Sequence, residues 1–167
     1  MTTLKTYKAK RDFHKASEPK GTVTRKRKKT IFVVQQHQAT RNHCDFRLEV
    51  GNVLKSWAVP KGMPVETAEK HLAVETEDHP LEYATFEGKI PKGEYGAGMV
   101  KIYDSGDYRN IRKISLKQSY ENGQIEVVLN GRVLKGRYAL IRTNFNDNPK
   151  NWLIIKMKED KYNFENG

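Results

Sequence analysis

Two histidines, an aspartate and two arginines fall within eleven positions in the run His37-Gln-Ala-Thr-Arg41-Asn-His43-Cys-Asp45-Phe-Arg47. On a strand over His43 to Val50 side chains alternate, so His43, Asp45 and Arg47 share one face while Cys44, Phe46 and Leu48 share the other. The first face is expected to be wet and reactive, the second to be core. With His37 folded over from the preceding turn, two imidazoles and a carboxylate make a facial set for a divalent metal, with positions left for water and substrate. The same residues also allow a plainer arrangement, a His43–Asp45 pair on a solvated strand face with His37 in a loop. Spacing alone leaves both open.

A second cluster is Glu77-Asp78-His79-Pro80-Leu81-Glu82-Tyr83. A residue before proline is biased to an extended conformation, so His79 can donate to a phosphate oxygen or protonate a leaving group, with Tyr83 as a second donor. The alternative is a turn in which His79 caps a neighbouring carbonyl. Lys61, in Val59-Pro60-Lys61-Gly62, follows the strand opposite the metal face; its ammonium suits a phosphate, or is simply an exposed lysine. The glycine-rich stretch Phe86 to Gly98 lacks the Lys-Ser/Thr ending of a phosphate-cradling loop and reads as a tight connection between strands. No Gly-x-Ser-x-Gly is present and Cys44 is expected to point inward, so nucleophilic serine or cysteine chemistry has no support.

The elements that must position these groups are short. Turn signals recur at Gly51-Asn52, Gly62, Gly88, Gly93, Gly96, Gly98, Gly106, Asn122-Gly123 and Asn130-Gly131. Between them lie runs rich in Val, Ile and aromatics: Ile31 to Val34, Phe46 to Val50, Met99 to Tyr103, Gln124 to Leu129, Tyr138 to Arg142 and Trp152 to Met157. This pattern predicts an antiparallel sandwich or barrel. A two-residue turn at Gly51-Asn52 would set Arg47 opposite Ser56, Asp45 opposite Ala58 and Phe46 opposite Trp57, leaving small partners and space on the polar face. Only Thr67 to Leu72 and Ile111 to Gln118 carry a helical pattern, and neither is long enough to cover a parallel sheet.

The chain has 167 residues, the size of one domain with a self-sufficient core, and a formal net charge of +11. Residues 1–30 hold 11 basic and 2 acidic residues, so the remainder is nearly neutral. The domain division expected is a basic arm over 1–30, whose stretch 20–30 is a flexible solvated connector, followed by a single folded body over 31–167. Such an arm attracts phosphate in a salt-sensitive way and points to a polyanionic partner. No run approaches the roughly 18 apolar residues of a membrane span, and no apolar stretch of a secretory signal follows the basic residues, so a cytoplasmic protein is expected. With Cys44 the single cysteine, an intrachain disulfide and a cysteine-rich zinc site are excluded; any metal is held mainly by nitrogen and oxygen.

These motifs together resemble the 3'-phosphoesterase domain of bacterial DNA ligase D and its stand-alone bacterial and archaeal members. The resemblance runs from about Tyr7 to Lys158. It is carried by Lys10-Arg11-Asp12-Phe13, the His37 to Glu49 motif, Lys55-Ser-Trp-Ala-Val-Pro-Lys-Gly62, Glu77-Asp-His-Pro80, Phe86-Glu-Gly88, Pro91-Lys-Gly-Glu-Tyr-Gly-Ala-Gly98 and Leu134-Lys-Gly-Arg137. It implies a mainly β fold, a compact antiparallel barrel with short helical segments and an active-site groove on one face.

It further implies a manganese-dependent hydrolase of DNA 3' ends, other divalent transition metals being alternatives. Such an enzyme removes a terminal ribonucleoside from a primer strand and then converts the resulting 3'-phosphate to a 3'-hydroxyl. His37, His43 and Asp45 match the family's metal ligands; Arg47 and His79 match residues at the scissile phosphate, and Tyr83 and Lys61 match supporting groups. Arg11, Asp12 and Glu18 match an N-terminal segment used mainly for the diesterase step, which assigns residues 7–19 to the active surface. His71 stands where an arginine often contributes to the phosphate site, so phosphate binding here is expected to be weaker or more pH-dependent. Cys44 and Asn42 stand where Tyr and Leu are usual, off the metal face. The implied partners are DNA or DNA/RNA primer-template ends; with no ligase lysine motif or polymerase module in it, the chain is expected to be a free-standing enzyme or an excised piece, the former meeting a DNA ligase or polymerase of an end-joining system in trans. The implied location is the cytoplasm, at the nucleoid when bound to DNA. The competing functions are a non-catalytic basic barrel that binds nucleic acid and a repair scaffold that has lost turnover, both separated from the enzyme by metal-dependent hydrolysis.

Overall fold

A computed structural model of the chain describes residues 4–10 and 29–159. The described strands are β1 (Thr30–Gln38), β2 (His43–Val50), β3 (Val53–Val59), β4 (Lys70–Pro80), β5 (Gly88–Ile90), β6 (Gly98–Asn110), β7 (Gln124–Gly131), β8 (Lys135–Arg142) and β9 (Asn151–Lys156). The helices are α1 (Leu4–Ala9) and α2 (Leu116–Asn122), with 3-10 turns at Leu81–Thr85 and Phe145–Asp147.

Gly51 adopts a φ of 64°, the left-handed conformation that a two-residue hairpin demands, and the flanking strands pair as the alternation requires. Arg47 faces Ser56, Phe46 faces Trp57 and Asp45 faces Ala58. Antiparallel pairing continues in the order β1-β2-β3-β4-β9-β8-β7-β6, and β6 returns to β1. Eight strands thus close into a barrel, which leaves no open edge among them, and β5 adds to the first part of β6. Gly106 lies where β6 passes between β1 and β7; a Cβ there would fall on the Asn130 carbonyl, so glycine permits the close crossing.

The inward residues of the alternation form the barrel core: Phe32 and Val34, Phe46 and Leu48, Trp57 and Val59, with Ile125, Val127, Leu140, Trp152 and Ile154 from the far wall. Trp57 meets Trp152 edge-on at 5.4 Å and Phe46 at 6.3 Å. Each such ring or branched chain, fully buried, stabilises the fold by roughly 1.5–3 kcal/mol. A second apolar cluster lies on the outer surface of β1 to β3, built from Val33, Leu54, Leu81, Tyr83, Phe86, Ile90 and Val100 and closed by Tyr7 of α1. This outer cluster explains one departure from expectation. The Asp45–Arg47 part of that face is not wet, Arg47 being 4% exposed and Asp45 7% beside α1 and the 3-10 turn after β4, whereas His43 stays half-buried at an open groove.

Two local expectations are corrected. Thr67 to Leu72 is not helical; Ala68 takes a φ of 71°, and from Lys70 the chain pairs with β9, where ladder hydrogen bonds override a weak helical pattern. The second helix begins later than Ile111, at Leu116, after Ser115, whose side chain accepts from the Gln118 N–H. The turn signalled at Asn122-Gly123 is that helix's end, with Gly123 left-handed.

Candidate metal centre and its polar surround

β1 continues through Gln38, so His37 is reached by the sheet and not by a folded-back turn. The terminal rung of the β1–β2 ladder sets His37 directly opposite His43, and Asp45 follows two residues along on the same face. The two imidazole centroids are 4.9 Å apart, and one ligand atom from each of His37, His43 and Asp45 lies within 4.8 Å of the others. Asp45 Oδ1 is 3.1 Å from His43 Nε2, and Oδ2 is 3.7 Å from His37 Nδ1.

Backbone carbonyls fix the other side of each ring. His37 Nε2–H donates to Gly96 O at 2.7 Å and His43 Nδ1–H donates to Arg41 O at 3.2 Å. The nitrogens left free of those carbonyls are the ones that converge on Asp45, an orientation typical of histidines that ligate a metal. Burial pushes the Asp45 carboxyl up, but the Arg47 charge and hydrogen bonds from His37 and His43 outweigh it and hold Asp45 well below the ordinary carboxylate range. Its hydrogen bond to Asp45 raises His43, against the opposing effect of burial. An ionised carboxylate between two oriented imidazoles is a donor set that fits a divalent ion of borderline character.

Arg47 extends the site along β2. Its Nη2 donates to Asp45 Oδ2 at 3.4 Å, Nε to Gln35 Oε1 at 2.6 Å and Nη1 to His79 Nδ1 at 3.1 Å. The same Nδ1 lies 3.0 Å from the Glu77 carbonyl oxygen, so it faces a guanidinium that only donates on one side and a carbonyl that only accepts on the other. Tyr83 packs edge-on to His79 at 4.7 Å and lies under the Arg47 guanidinium at 4.9 Å, while Tyr7 meets the other edge of His79 at 5.1 Å. Arg47, His79 and Tyr83, far apart in sequence, are brought together here and abut the metal set through Asp45.

Gln35 was not singled out from the sequence. Fully buried, it donates through Nε2 to the carbonyls of Tyr83 and Phe86, at 2.8 and 3.0 Å, while its oxygen accepts from Arg47. No local signal marks it: alternation sets Gln35 on the outer strand face with Val33 and His37, and its burial comes from the turn after β4.

Lys61 lies in the turn after β3 and lines an open groove of about 330 Å³ beside His37 and His43. His71 is not joined to this cluster by any described contact. Its Nδ1–H donates to Gly62 O at 2.5 Å and its Nε2 faces Glu69 Oε2 at 3.0 Å. Arg11, Asp12 and Glu18 lie outside the described residues, as does most of the stretch 20–30. The neighbouring Lys10 is described, and its ammonium is 3.2 Å from Glu77 and 3.3 Å from the Tyr95 hydroxyl. Among the described residues no helix is long and apolar enough to cross a membrane.

Comparison with known proteins gives a consistent result. A family model described as the DNA Ligase D 3'-phosphoesterase domain matches residues 35–142. The multifunctional non-homologous end joining protein LigD of Pseudomonas aeruginosa is 45% identical over 158 residues, which is 93% of this chain and 19% of that protein. The multifunctional non-homologous end joining DNA repair protein LigD of Mycobacterium tuberculosis is 48% identical over 164 residues, 95% of this chain and 20% of that protein. LigD of Mycolicibacterium smegmatis is 48% identical over 167 residues, 95% of this chain and 21% of that protein. The chain therefore spans about a fifth of the length of the curated relatives it matches.

Proposed function

Because the chain belongs to the DNA ligase D 3'-phosphoesterase domain family, we propose that it heals DNA 3' ends for end joining as a metal-dependent phosphoesterase. Two steps are assigned to one site: removal of a terminal 3'-ribonucleoside, leaving a 3'-phosphate, and hydrolysis of that phosphate to a 3'-hydroxyl. The observation that carries the proposal is the convergence of His37, His43 and Asp45 within 4.8 Å, with Arg47 bridging from Asp45 to His79.

His37, His43 and Asp45 would hold the metal, manganese in this proposal, which supplies charge neutralisation at the phosphate and activation of water. Arg47, fixed at three nitrogens, stabilises charge on the phosphate oxygens without reorganising during the reaction. His79, held at Nδ1, presents Nε2 as the proton donor to the phosphate or to the departing oxygen, and Tyr83 restrains the ring while offering a second hydroxyl donor. Lys61 attracts the phosphate into the groove, and His71 supports that role by holding the Gly62 carbonyl next to it. Arg11, Asp12 and Glu18 serve the diesterase step, with the arm over 1–30 following the nucleic-acid backbone. The partners are primer-template ends in the cytoplasm and an end-joining ligase or polymerase.

The test incubates chelator-stripped protein with a labelled primer-template ending in one ribonucleotide, and with the same duplex ending in a 3'-phosphate, with and without manganese. Both are expected to become 3'-hydroxyl ends only with metal. Salt-sensitive binding without conversion would replace the enzyme by a nucleic-acid-binding barrel.

A further inference from the structure

His79 owes its direction to an irregularity in β4. Between Leu54 and Ser56 of β3 the partner on β4 moves from His79 to Thr76, so two steps on one strand match three on the other. This is a β-bulge. In a regular strand Thr76 and His79, three residues apart, would face opposite sides of the sheet. The extra residue lets Thr76 lie beside Ser56 and His79 beside Leu54 on the same outer face, and it turns Asp78 into the barrel.

Inside the barrel Asp78 meets Lys55. Lys55 sits opposite Leu48, a core residue, and so faces inward. Its Nζ lies 3.0 and 3.1 Å from the two Asp78 oxygens and 4.4 Å from the centroid of the Tyr120 ring. Lys55 is 3% exposed and Asp78 2%. An ammonium and a carboxylate this deeply buried hold each other strongly, because neither can exchange its partner for water in a medium of low dielectric. Moving the bulge by one residue would take Asp78 away from Lys55 and rotate His79 off Arg47 in the same motion.

We propose that the buried Lys55–Asp78 pair is a positioning device that locks the β4 bulge and thereby aims His79 at Arg47. The inference rests on the phosphoesterase reading for its consequence in turnover, although not for its geometry. Lys55 and Asp78 pair inside the barrel, on the opposite side of the sheet from His79; they act through the backbone that carries His79, and the Arg47–His79 contact at 3.1 Å is what they maintain.

The test compares the wild type with Asp78→Asn and with the double variant K55M/D78L, in which apolar packing replaces the buried pair and preserves the fold. Imidazole nitrogen and proton resonances of His79, assigned with His79→Gln, are recorded beside melting temperature, manganese affinity and 3'-phosphatase turnover. In the folded variants the His79 resonances are expected to move, manganese affinity to stay within about twofold, and turnover to fall on the order of 10²-fold, as for a displaced reacting group. His79 resonances unchanged in folded K55M/D78L would overturn the inference, since a merely stabilising pair changes the melting temperature and leaves the ring in place. An inactive wild type would instead defeat the proposed function, and the ring resonances would still decide the role of the pair.

Discussion

Arg47 and His79, 32 residues apart, meet through a guanidinium Nη1 to imidazole Nδ1 hydrogen bond of 3.1 Å. With the Glu77 carbonyl 3.0 Å from the same Nδ1, that contact fixes the orientation of the His79 ring and leaves Nε2 on its far side. Asp45, accepting from Nη2 of the same guanidinium, joins this pair to the metal ligands. One planar side chain therefore relates the candidate metal-binding triad to the proposed proton donor.

Arg47→Lys tests that relationship. A lysine ammonium carries one point charge and cannot reproduce the fork that reaches Gln35, Asp45 and His79 together. Turnover on a 3'-phosphate end is expected to fall about 10²–10³-fold, the range for a lost transition-state donor, with manganese affinity nearly unchanged. Steady-state kinetics with parallel metal titration checks it, and a variant as active as the wild type would remove Arg47 from the mechanism.

His43→Ala removes a ligand whose far nitrogen is already oriented by Arg41 O. Manganese binding is expected to weaken by more than the roughly 10–100-fold typical of losing an outer-shell partner, and both hydrolytic steps to fail together. Calorimetric metal titration and the two end-labelled substrates provide the readouts. Full turnover of this variant in metal-depleted buffer would sink the ligand assignment.

Arg11→Ala addresses the N-terminal motif directly. The diesterase step is expected to weaken more than the monoesterase step, measured on the ribonucleotide-ended and phosphate-ended duplexes. Equal losses would remove Arg11 from substrate discrimination.

Alkaline pH should destabilise the barrel through its buried phenols. Burial raises Tyr108, Tyr120 and Tyr138 above the ordinary tyrosine value, and at Tyr120 a hydrogen bond to Glu75 adds to the effect. A raised folded-state value means that the stabilisation is complete below the unfolded pKa and is lost as pH rises through the folded one, so stability should decline above about pH 10. Ultraviolet absorbance of tyrosinate should show these three ionising together with unfolding. Their reversible titration in a still-folded protein would contradict it.

Asp104 anchors the turn between β7 and β8. Buried, its carboxylate accepts from the backbone N–H groups of Ser105, Arg132, Val133 and Leu134, and a Cβ on Gly131 would press against it. Asp104→Ala leaves these donors without that acceptor and is expected to cost about 3 kcal/mol. The urea midpoint should fall with little change in slope, and an unchanged midpoint would show that water replaces the carboxylate at no cost.

The alternation at His43 to Val50 and the turn at Gly51-Asn52 determined the β2–β3 register in advance, because a period of two and a two-residue turn leave one self-consistent pairing. The motif resemblance likewise identified His37, His43, Asp45, Arg47, His79 and Tyr83 as one set. Tertiary structure alone decided how they meet. His37 arrives on a ladder rung, His79 through a bulge, and Gln35 as a buried clamp; each depends on a partner strand distant in sequence. The burial of Arg47 and His79 was equally beyond local patterning, since the covering groups come from Tyr7 and from the turn after β4. Sequence periodicity specifies which side of a strand a residue takes, whereas the solvent exposure of that side depends on what else in the chain can pack against it.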